Sequence, residues 1–344
     1  MRYRLLGDSG LRVSEICLGT MTFGEDWGWG APKDEARKMY ETYRGAGGNF
    51  IDTANLYTLG TSEKFLGEFI RGHRGEIVLA TKYTNAQPGN DPNAAGNHRK
   101  SMFQAIEGSL SRLGTDYIDL YWLHIWDQIT PVEEVMRGFE DLIRSGKVLY
   151  AGVSDAPAWW IARANTLAEV RGWGKFVGLQ IEYSLLERTV ERELLPMAKA
   201  LGLGVTAWSP LAGGLLSGKY QADARPNDAR YSSEMMKHRM RRGQQTEKII
   251  AAVKQVAQQL GRSAAQVALA WLFHRDQPII PIIGARKIAQ FHDNLAALDL
   301  KLDHDQLRLL DQVSAVPLGF PHEFFREDLV RSIVYGGLRD KIIA

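Results

Sequence analysis

Two patterns of apolar and polar residues alternate along the chain. Short runs of apolar and β-branched residues are separated by longer segments in which apolar residues recur every three or four positions. The short runs are typical of buried strands and the longer segments of amphipathic helices, so their alternation predicts βαβ units and a parallel sheet. The predicted strands are 15–18, 49–53, 77–82, 118–124, 148–153, 177–182, 204–208 and 279–283.

Helical patterns fill the intervals between the predicted strands. They cover 33–46, 61–71, 100–113, 131–145, 157–168, 187–200, 246–273 as two helices, and 287–298. Eight alternating units favour one closed (β/α)₈ barrel, because a barrel leaves no unpaired strand edge and typically needs about 250 residues. The whole chain, 1–344, is therefore predicted to form a single domain.

The residues beyond the barrel are predicted to decorate it in three places. These are an N-terminal β-hairpin that turns at 8–10, a long polar loop at 217–243 after the seventh barrel strand, and a C-terminal extension after Leu302. The alternative fold is a doubly wound sheet with an ordinary dinucleotide loop. That fold requires a GxGxxG motif after a strand, and the sequence contains none.

Composition narrows the functional class. The chain has 344 residues, 45% of them hydrophobic and 24% charged, with a net charge of +2. These values are typical of a soluble globular protein and give no indication of nucleic-acid binding. Cys17 is the single cysteine, which excludes an internal disulfide and favours the cytoplasm. We expect no membrane segment, because no uncharged stretch approaches about 20 residues, and no metal site, because the eight histidines lack ligand spacing.

Polar side chains follow apolar runs at the ends of several predicted strands. In a parallel barrel these ends lie at one face, where reactive groups are found. Asp52 and Lys82 end neighbouring strands, and we expect them to pair because a buried isolated charge is costly. Such a pair can also be purely structural. The polar residues at these ends are Asp52, Lys82, His124, Ser154, Asp155, Gln180 and Glu182.

Tyr57 lies in the loop after the second barrel strand, near enough in sequence to reach the barrel mouth. We expect the Lys82 ammonium to lower the pKa of its phenol, so that Tyr57 can transfer a proton to a carbonyl oxygen near neutral pH. His124 can donate a hydrogen bond to the same oxygen. The alternative is that Tyr57 is a rim aromatic whose hydroxyl has a structural partner.

Ordered motifs across nearly the whole chain resemble the aldo-keto reductases. They are LGTMTFG, FIDTANLY, LATK, DLYWLH, GKVLYAGVSD, LQIEYSLLER, AWSPLAGGLLSGKY and IIGARKIAQFHDNLAAL. The resemblance implies a (β/α)₈ barrel and a catalytic tetrad of Asp52, Tyr57, Lys82 and His124. It further implies NADPH as hydride donor, with Tyr57 as general acid in reduction and general base in alcohol oxidation.

Two arguments predict which residues bind the cofactor: the position of the loops and the resemblance to the family. Loops after the last two barrel strands commonly bind phosphate. Arg286 suits the 2′-phosphate of NADPH, which makes NADH less favoured. The resemblance implies that Trp208 stacks on the nicotinamide, and Asp155 and Asp293 replace the usual Asn and Glu. The expected cofactor residues are Gly19, Thr20, Met21, Asp52, Ser154, Asp155, Gln180, Trp208, Ser209, Pro210, Leu211, Gly213, Leu215, Lys219, Ile283, Gly284, Arg286, Gln290, Asp293 and Asn294.

Aromatic residues in the βα loops favour a bulky or aromatic carbonyl or alcohol as the small-molecule substrate. The expected pocket residues are Trp27, Trp29, Tyr57, Tyr83, His124 and Trp126. The motifs LHIWD and GVSDAPAWW resemble the aryl-alcohol dehydrogenase branch of the family. Two other functions remain open: a regulatory subunit similar to the potassium-channel β subunits, which share the fold and tetrad, and a cofactor-free barrel enzyme with a carboxylate pair. The sequence leaves homo-oligomer formation open.

Overall fold

A closed barrel of eight parallel strands forms the centre of the protein. The computed structural model describes residues 1–86, 89–218 and 243–342. Two strands precede the barrel, β1 (Tyr3–Leu5) and β2 (Arg12–Ser14), and they pair as an antiparallel hairpin. The barrel strands are β3 (Cys17–Gly19), β4 (Phe50–Asp52), β5 (Val78–Tyr83), β6 (Ile118–Leu123), β7 (Val148–Ser154), β8 (Phe176–Glu182), β9 (Gly204–Trp208) and β10 (Ile279–Ile283). They pair in chain order, and β10 closes on β3. The predicted (β/α)₈ barrel with its N-terminal hairpin is confirmed.

Helices connect the strands and surround the barrel. They are α1 (Lys33–Gly45), α2 (Thr61–Phe69), α3 (Arg99–Leu113), α4 (Val132–Arg144), α5 (Ala158–Arg171), α6 (Leu194–Ala200), α7 (Gln244–Leu260), α8 (Ala264–Phe273), α9 (Ile288–Leu295), α10 (His304–Val313) and α11 (Asp328–Val334). The prediction of two helices within 246–273 is confirmed, because Gly261 ends α7 with a left-handed φ of 60°. Most of the predicted polar loop, 219–242, lies outside the described residues.

One predicted helix is shorter than expected. The sequence pattern indicated a helix over 187–200, whereas α6 begins at Leu194 and a 3₁₀ turn covers Thr189–Glu191. Pro196 explains the difference, because a proline has no backbone N–H and is tolerated only in the first turn of a helix. The first helical turn therefore has to lie around Pro196 and cannot begin seven residues earlier.

The N-terminal hairpin packs against one end of the barrel and leaves the other end open. Leu6 and Val13 of the hairpin are fully buried and pack with residues inside the barrel, such as Phe50 and Trp122. Gly152 makes room for the Trp122 ring, since a Cβ at Gly152 would lie 2.3 Å from it. The filled core leaves the C-terminal strand ends as the free face of the barrel, which is where (β/α)₈ enzymes place their sites.

Among the described residues, no helix is both long enough and apolar enough to cross a membrane.

Candidate active site

Asp52, Lys82 and Tyr57 form one hydrogen-bonded cluster at the open face. Asp52 ends β4 and Lys82 lies near the end of the neighbouring strand β5, so their side chains meet inside the barrel mouth. Lys82 is fully buried and its Nζ donates to Asp52 Oδ2, to the backbone oxygen of Thr53 at 2.8 Å and to the Tyr57 hydroxyl at 3.0 Å. All three donor positions of the ammonium are thereby used. The expected Asp52–Lys82 ion pair is present.

Gln180 supports the same cluster from the far side of the barrel. Its Nε2 donates to Asp52 Oδ1 at 3.0 Å, while Lys82 occupies Oδ2. Gln180 is 128 positions away in the sequence and lies on β8. Both carboxylate oxygens of Asp52 therefore have a donor, which keeps the buried charge satisfied and fixes the direction of the Lys82 side chain.

The pKa of Tyr57 differs from the sequence expectation. Burial raises the pKa of its phenol, and the neighbouring Lys82 ammonium lowers it only in part, so the net direction is upward. The expectation of a lowered pKa was wrong, because it counted the cation and left out desolvation. The pKa of Lys82 is also raised: burial opposes the charge, but the Asp52 carboxylate and Tyr57 outweigh it. At neutral pH the pair is therefore an ammonium and a protonated phenol.

His124 completes the cluster. Its ring lies against Tyr57 in an edge-on arrangement, with ring centroids 6.0 Å apart. Burial and the nearby Lys82 ammonium hold the pKa of the imidazole well below its usual range, so the ring is neutral at pH 7. Asn85, in the loop after β5, lies with its Nδ2 3.0 Å from His124 Nδ1. The sequence analysis missed Asn85.

A cavity of about 740 Å³ opens from this cluster toward the last two βα loops. Asp52, Tyr57 and His124 line one part of it, and Arg286 and Asn294 line another. This volume is within the range of about 300–1,000 Å³ that ligand pockets occupy. One cavity is therefore lined both by the reactive cluster and by the loop after the last strand, where barrels commonly bind phosphate.

Sequence comparisons agree with this geometry. The profile of the aldo/keto reductase family matches residues 15–315. The chain belongs to the aldo-keto reductase family. It is 39% identical to norsolorinic acid reductase of Aspergillus flavus, with 96% of this chain and 85% of that protein covered. It is 36% identical to an NADP(+) aryl-alcohol dehydrogenase of Phanerodontia chrysosporium, covering 97% and 91% of the two chains. An uncharacterised oxidoreductase of Bacillus subtilis is 40% identical, with 93% and 98% covered.

Most residues expected to bind the cofactor of this aldo-keto reductase line the cavity. They are Gly19, Met21, Asp52, Ser154, Asp155, Gln180, Trp208, Ser209, Pro210, Leu211, Gly213, Ile283, Gly284, Arg286, Gln290, Asp293 and Asn294. Two others lie outside the lining. Thr20 is buried with its hydroxyl donating to the Asp52 backbone oxygen at 3.0 Å, and Leu215 packs in the core. Lys219 lies outside the described residues.

Ser154 and Asp155 follow each other at the end of β7. Ser154 Oγ is buried and has no hydrogen-bond partner in the described part of the chain, although it lies in the cavity wall. A buried hydroxyl in this position is suited to a polar ligand group. Asp155 Oδ1 accepts a hydrogen bond from the indole Nε1 of Trp208 at 3.1 Å.

Other expected cofactor residues already have partners within the protein. Asp293 accepts from Ser263 Oγ and from Gln266 Nε2, each at 2.7 Å, so its carboxylate supports the start of α8. The Gly213 backbone N–H donates to Ser209 Oγ at 3.1 Å. The shorter side chain of Asp293, compared with the usual Glu, thus contacts α8, a role that a family pattern does not reveal.

Some of the residues expected in the substrate pocket lie at the cavity, and others lie away from it. Trp29 lines the cavity, and Trp27 packs edge-on against Tyr57 with ring centroids 6.4 Å apart. Ile125, which the sequence analysis missed, also lines it. The prediction that Tyr83 lines the substrate pocket was wrong. Tyr83 is fully buried and stacks on Tyr121. Successive strand residues point to opposite faces, so Tyr83 has to point outward because Lys82 points inward.

Trp126 also lies outside the cavity lining. Its ring packs against Trp159 and Trp160, with ring centroids 5.7 Å and 6.4 Å apart, so it joins the loop after β6 to α5. Within residues 1–86, 89–218 and 243–342, no group of three His, Cys, Asp or Glu side chains is arranged to hold a metal ion.

Proposed function

We propose that this protein is an NADPH-dependent reductase of aldehydes and ketones, with bulky or aromatic carbonyl compounds as substrates. One observation carries the proposal: the Tyr57 hydroxyl accepts a hydrogen bond from Lys82 at 3.0 Å and lines the cavity. Because Lys82 occupies a lone pair of the phenol oxygen, the phenol proton is directed to a group in the cavity. A carbonyl oxygen is a suitable acceptor for it.

Residues of the protein carry out the proton transfer of the reaction. Tyr57 donates its proton to the carbonyl oxygen, and His124 donates a hydrogen bond to the same oxygen as charge develops there. Lys82 stabilises the resulting phenolate, and Asp52 keeps the ammonium charged and oriented. Bound NADPH supplies the hydride. Alcohol oxidation uses the same groups in reverse, with Tyr57 as the base.

The cavity fits a nicotinamide dinucleotide. Ser154 Oγ is a buried hydroxyl without a partner among the described residues, beside Gln180 on the neighbouring strand. We propose that Ser154 and Asp155 bind the carboxamide and that Trp208 stacks on the nicotinamide ring. Arg286, which lies in the last βα loop of the barrel, suits the 2′-phosphate that distinguishes NADPH from NADH.

The preference for a bulky substrate rests on the aromatic wall next to Tyr57. Trp27 and Trp29 are in contact, with ring centroids 5.7 Å apart, and Ile125 adds an exposed aliphatic side chain at the cavity. Large apolar surfaces of this kind favour ligands with large apolar areas. Two of the relatives are named for norsolorinic acid and for aryl alcohols, and the second name supports the same substrate class.

A carbonyl panel tests the proposed function. Purified protein is mixed with NADPH and with aromatic aldehydes, polycyclic ketones or short polar aldehydes, and the loss of NADPH absorbance is followed. We expect turnover with the aromatic and polycyclic members and higher KM values for the short polar ones. Tight NADPH binding without turnover of any member would instead indicate a regulatory subunit. Absence of NADPH binding would contradict the proposal.

A further inference from the structure

Asn85 contacts His124 from outside the tetrad. Its Nδ2 lies 3.0 Å from His124 Nδ1. Asn85 is in the loop that follows β5, three positions after Lys82, and His124 directly follows β6. The contact therefore joins two neighbouring βα loops at the barrel mouth.

The orientation of the Asn85 amide, with Nδ2 toward the ring, sets the direction of this hydrogen bond. The side-chain NH₂ of Asn is a donor only, so His124 Nδ1 has to accept. A neutral imidazole carries one proton, and an accepting Nδ1 places that proton on Nε2. His124 lines the cavity next to Tyr57, so an Nε2–H group is the form that can donate to a carbonyl oxygen.

From this contact we infer that Asn85 is a positioning residue, which holds His124 as the Nε2–H tautomer and so supplies the second hydrogen-bond donor of the site. The inference rests on the proposed carbonyl reduction for its functional meaning. Its structural content, the tautomer of one histidine, does not depend on that function.

The backbone around Asn85 is held in place independently of the side chain. The Asn85 backbone oxygen accepts from Asn55 Nδ2 at 2.9 Å, and Asn55 lies in the loop that carries Tyr57. The loop of Asn85 is thus tied to the loop of Tyr57. This contact does not use the Asn85 side chain, so replacing the side chain leaves it in place.

A group of hydrogen bonds around Asn97 and Asp127, the Asn97–Asp127 clamp, fixes the loops that follow β5 and β6 relative to each other. Asn97 and Asp127 are joined reciprocally: each backbone N–H donates to the other's side-chain oxygen at 2.7 Å. Asn97 Nδ2 donates further to Thr84 Oγ1 and to the Ile125 backbone oxygen, both at 2.9 Å. Thr84 precedes Asn85 and Ile125 follows His124, so the clamp holds the residue next to each partner of the inferred hydrogen bond.

Nitrogen NMR of the histidine ring tests the inference directly. Protein labelled with ¹⁵N-histidine is recorded in long-range ¹H–¹⁵N spectra, and the His124 signals are identified by their loss in His124→Gln. We expect a protonated Nε2 and an unprotonated Nδ1 in the wild type. Asn85→Asp should reverse the tautomer, because a carboxylate accepts from Nδ1–H. Asn85→Leu should lower the tautomer ratio about tenfold, as loss of one neutral hydrogen bond does.

Asn93→Asp is the matched control, since it makes the same change at an exposed position of the same loop. It should leave the His124 signals unchanged. A wild-type His124 that carries its proton on Nδ1, as the reverse amide orientation of Asn85 would require, overturns the inference. So does an unchanged tautomer in Asn85→Asp.

Steady-state kinetics separate this inference from the proposed function. Asn85→Asp should lower kcat/KM for carbonyl reduction about 10²-fold, as loss of a donor to a developing oxyanion does. The double variant Asn85→Asp/His124→Leu should be no slower than His124→Leu alone, because Leu already removes the donor that Asn85→Asp would redirect. A wild-type protein with the expected tautomer but no turnover would contradict the proposed function and leave the role of Asn85 intact.

Discussion

The indole Nε1 of Trp208 donates a hydrogen bond to Asp155 Oδ1 at 3.1 Å. Trp208 ends β9 and Asp155 follows β7, so the contact crosses the end of β8, and both side chains line the cavity. Asp155 has a left-handed φ of 36°, which Asp and Asn tolerate better than most residues. Asp155 stands where the family resemblance leads us to expect Asn, and the indole N–H of Trp208 provides a donor for its carboxylate.

Replacement of Asp155 by Asn should strengthen NADPH binding about three- to tenfold. The amide keeps an oxygen that accepts from Trp208 and adds N–H donors for the nicotinamide carboxamide, and one neutral hydrogen bond accounts for that factor. The dissociation constant is measured by fluorescence titration. Asp155→Leu is the control that has neither donor nor acceptor, and it should weaken binding. Weaker binding in Asp155→Asn would contradict a carboxamide contact at this position.

Replacement of Tyr57 by Phe should lower kcat about 10²-fold or more and leave the dissociation constant of NADPH nearly unchanged. The substitution removes the proton donor while the aromatic ring, which packs against Trp27 and His124, is retained. Rates are measured with an aromatic aldehyde, and binding by fluorescence titration.

Tyr83→Phe is the matched control for that prediction. The Tyr83 hydroxyl donates to the Asn97 backbone oxygen at 3.3 Å and lies outside the cavity lining. Its loss should leave kcat within about twofold. A loss of NADPH affinity in Tyr57→Phe as large as its loss of turnover would argue against the role of a proton donor.

The sequence was sufficient to predict the barrel and the ionisable residues at the strand ends of the site. Asp52, Lys82 and His124 follow short apolar runs, and an ionisable group at the end of a buried strand is costly enough to indicate a specific role. Tyr57 was predicted from its place in the loop after the second barrel strand, and the family resemblance then gave it the role of general acid and base. Its pKa direction was predicted wrongly, since the depth of the cavity, and hence desolvation, is not encoded in a local pattern.

Contacts between distant segments could not be predicted. Gln180 donates to Asp52 across 128 positions, and Asp293 binds two residues at the start of α8. Both contacts depend on barrel closure and on helix placement. The sequence also gave no indication of Asn85, because its role depends on the conformation of two loops that the Asn97–Asp127 clamp fixes. Tyr83, in contrast, could have been excluded by strand alternation next to Lys82.

Replacement of Arg286 by Ala should weaken NADPH binding about 10²-fold and NADH binding less than about threefold. A guanidinium that binds the 2′-phosphate makes charge-assisted hydrogen bonds that NADH cannot form. Both dissociation constants are measured by titration. Lys287→Ala is the control, because it removes the next cation along the chain, which lies outside the cavity lining. Equal effects of Arg286→Ala on both cofactors would exclude recognition of the 2′-phosphate.

The pH profile should reflect the raised pKa of Tyr57. A phenol whose pKa lies above its ordinary value of about 10 stays protonated, and so remains a proton donor, at all lower pH values. We expect kcat/KM for carbonyl reduction to be independent of this group through neutral pH and to fall only in the alkaline range. Alcohol oxidation needs the phenolate and should rise with pH. A fall in reduction centred near pH 7 would contradict this assignment.

Removal of one member of the Asp52–Lys82 pair should destabilise the protein by about 3–5 kcal/mol. Lys82→Met leaves the Asp52 carboxylate buried beside Gln180 alone, and an uncompensated buried charge carries a cost of that size. Asp52→Asn/Lys82→Met removes both charges and should recover most of the loss. Free energies of unfolding are measured by urea denaturation.

The surface pair of Lys38 and Glu35 provides the matched control for this stability prediction. Their charged atoms are 3.0 Å apart, but the Lys38 side chain is 59% exposed. Lys38→Met should therefore change the free energy of unfolding by less than about 1 kcal/mol, because water and salt screen exposed ion pairs. If Lys82→Met were no more destabilising than Lys38→Met, the Asp52 carboxylate would have to be neutral in the folded protein. Lys82 would then lack the anionic partner that keeps it charged beside Tyr57.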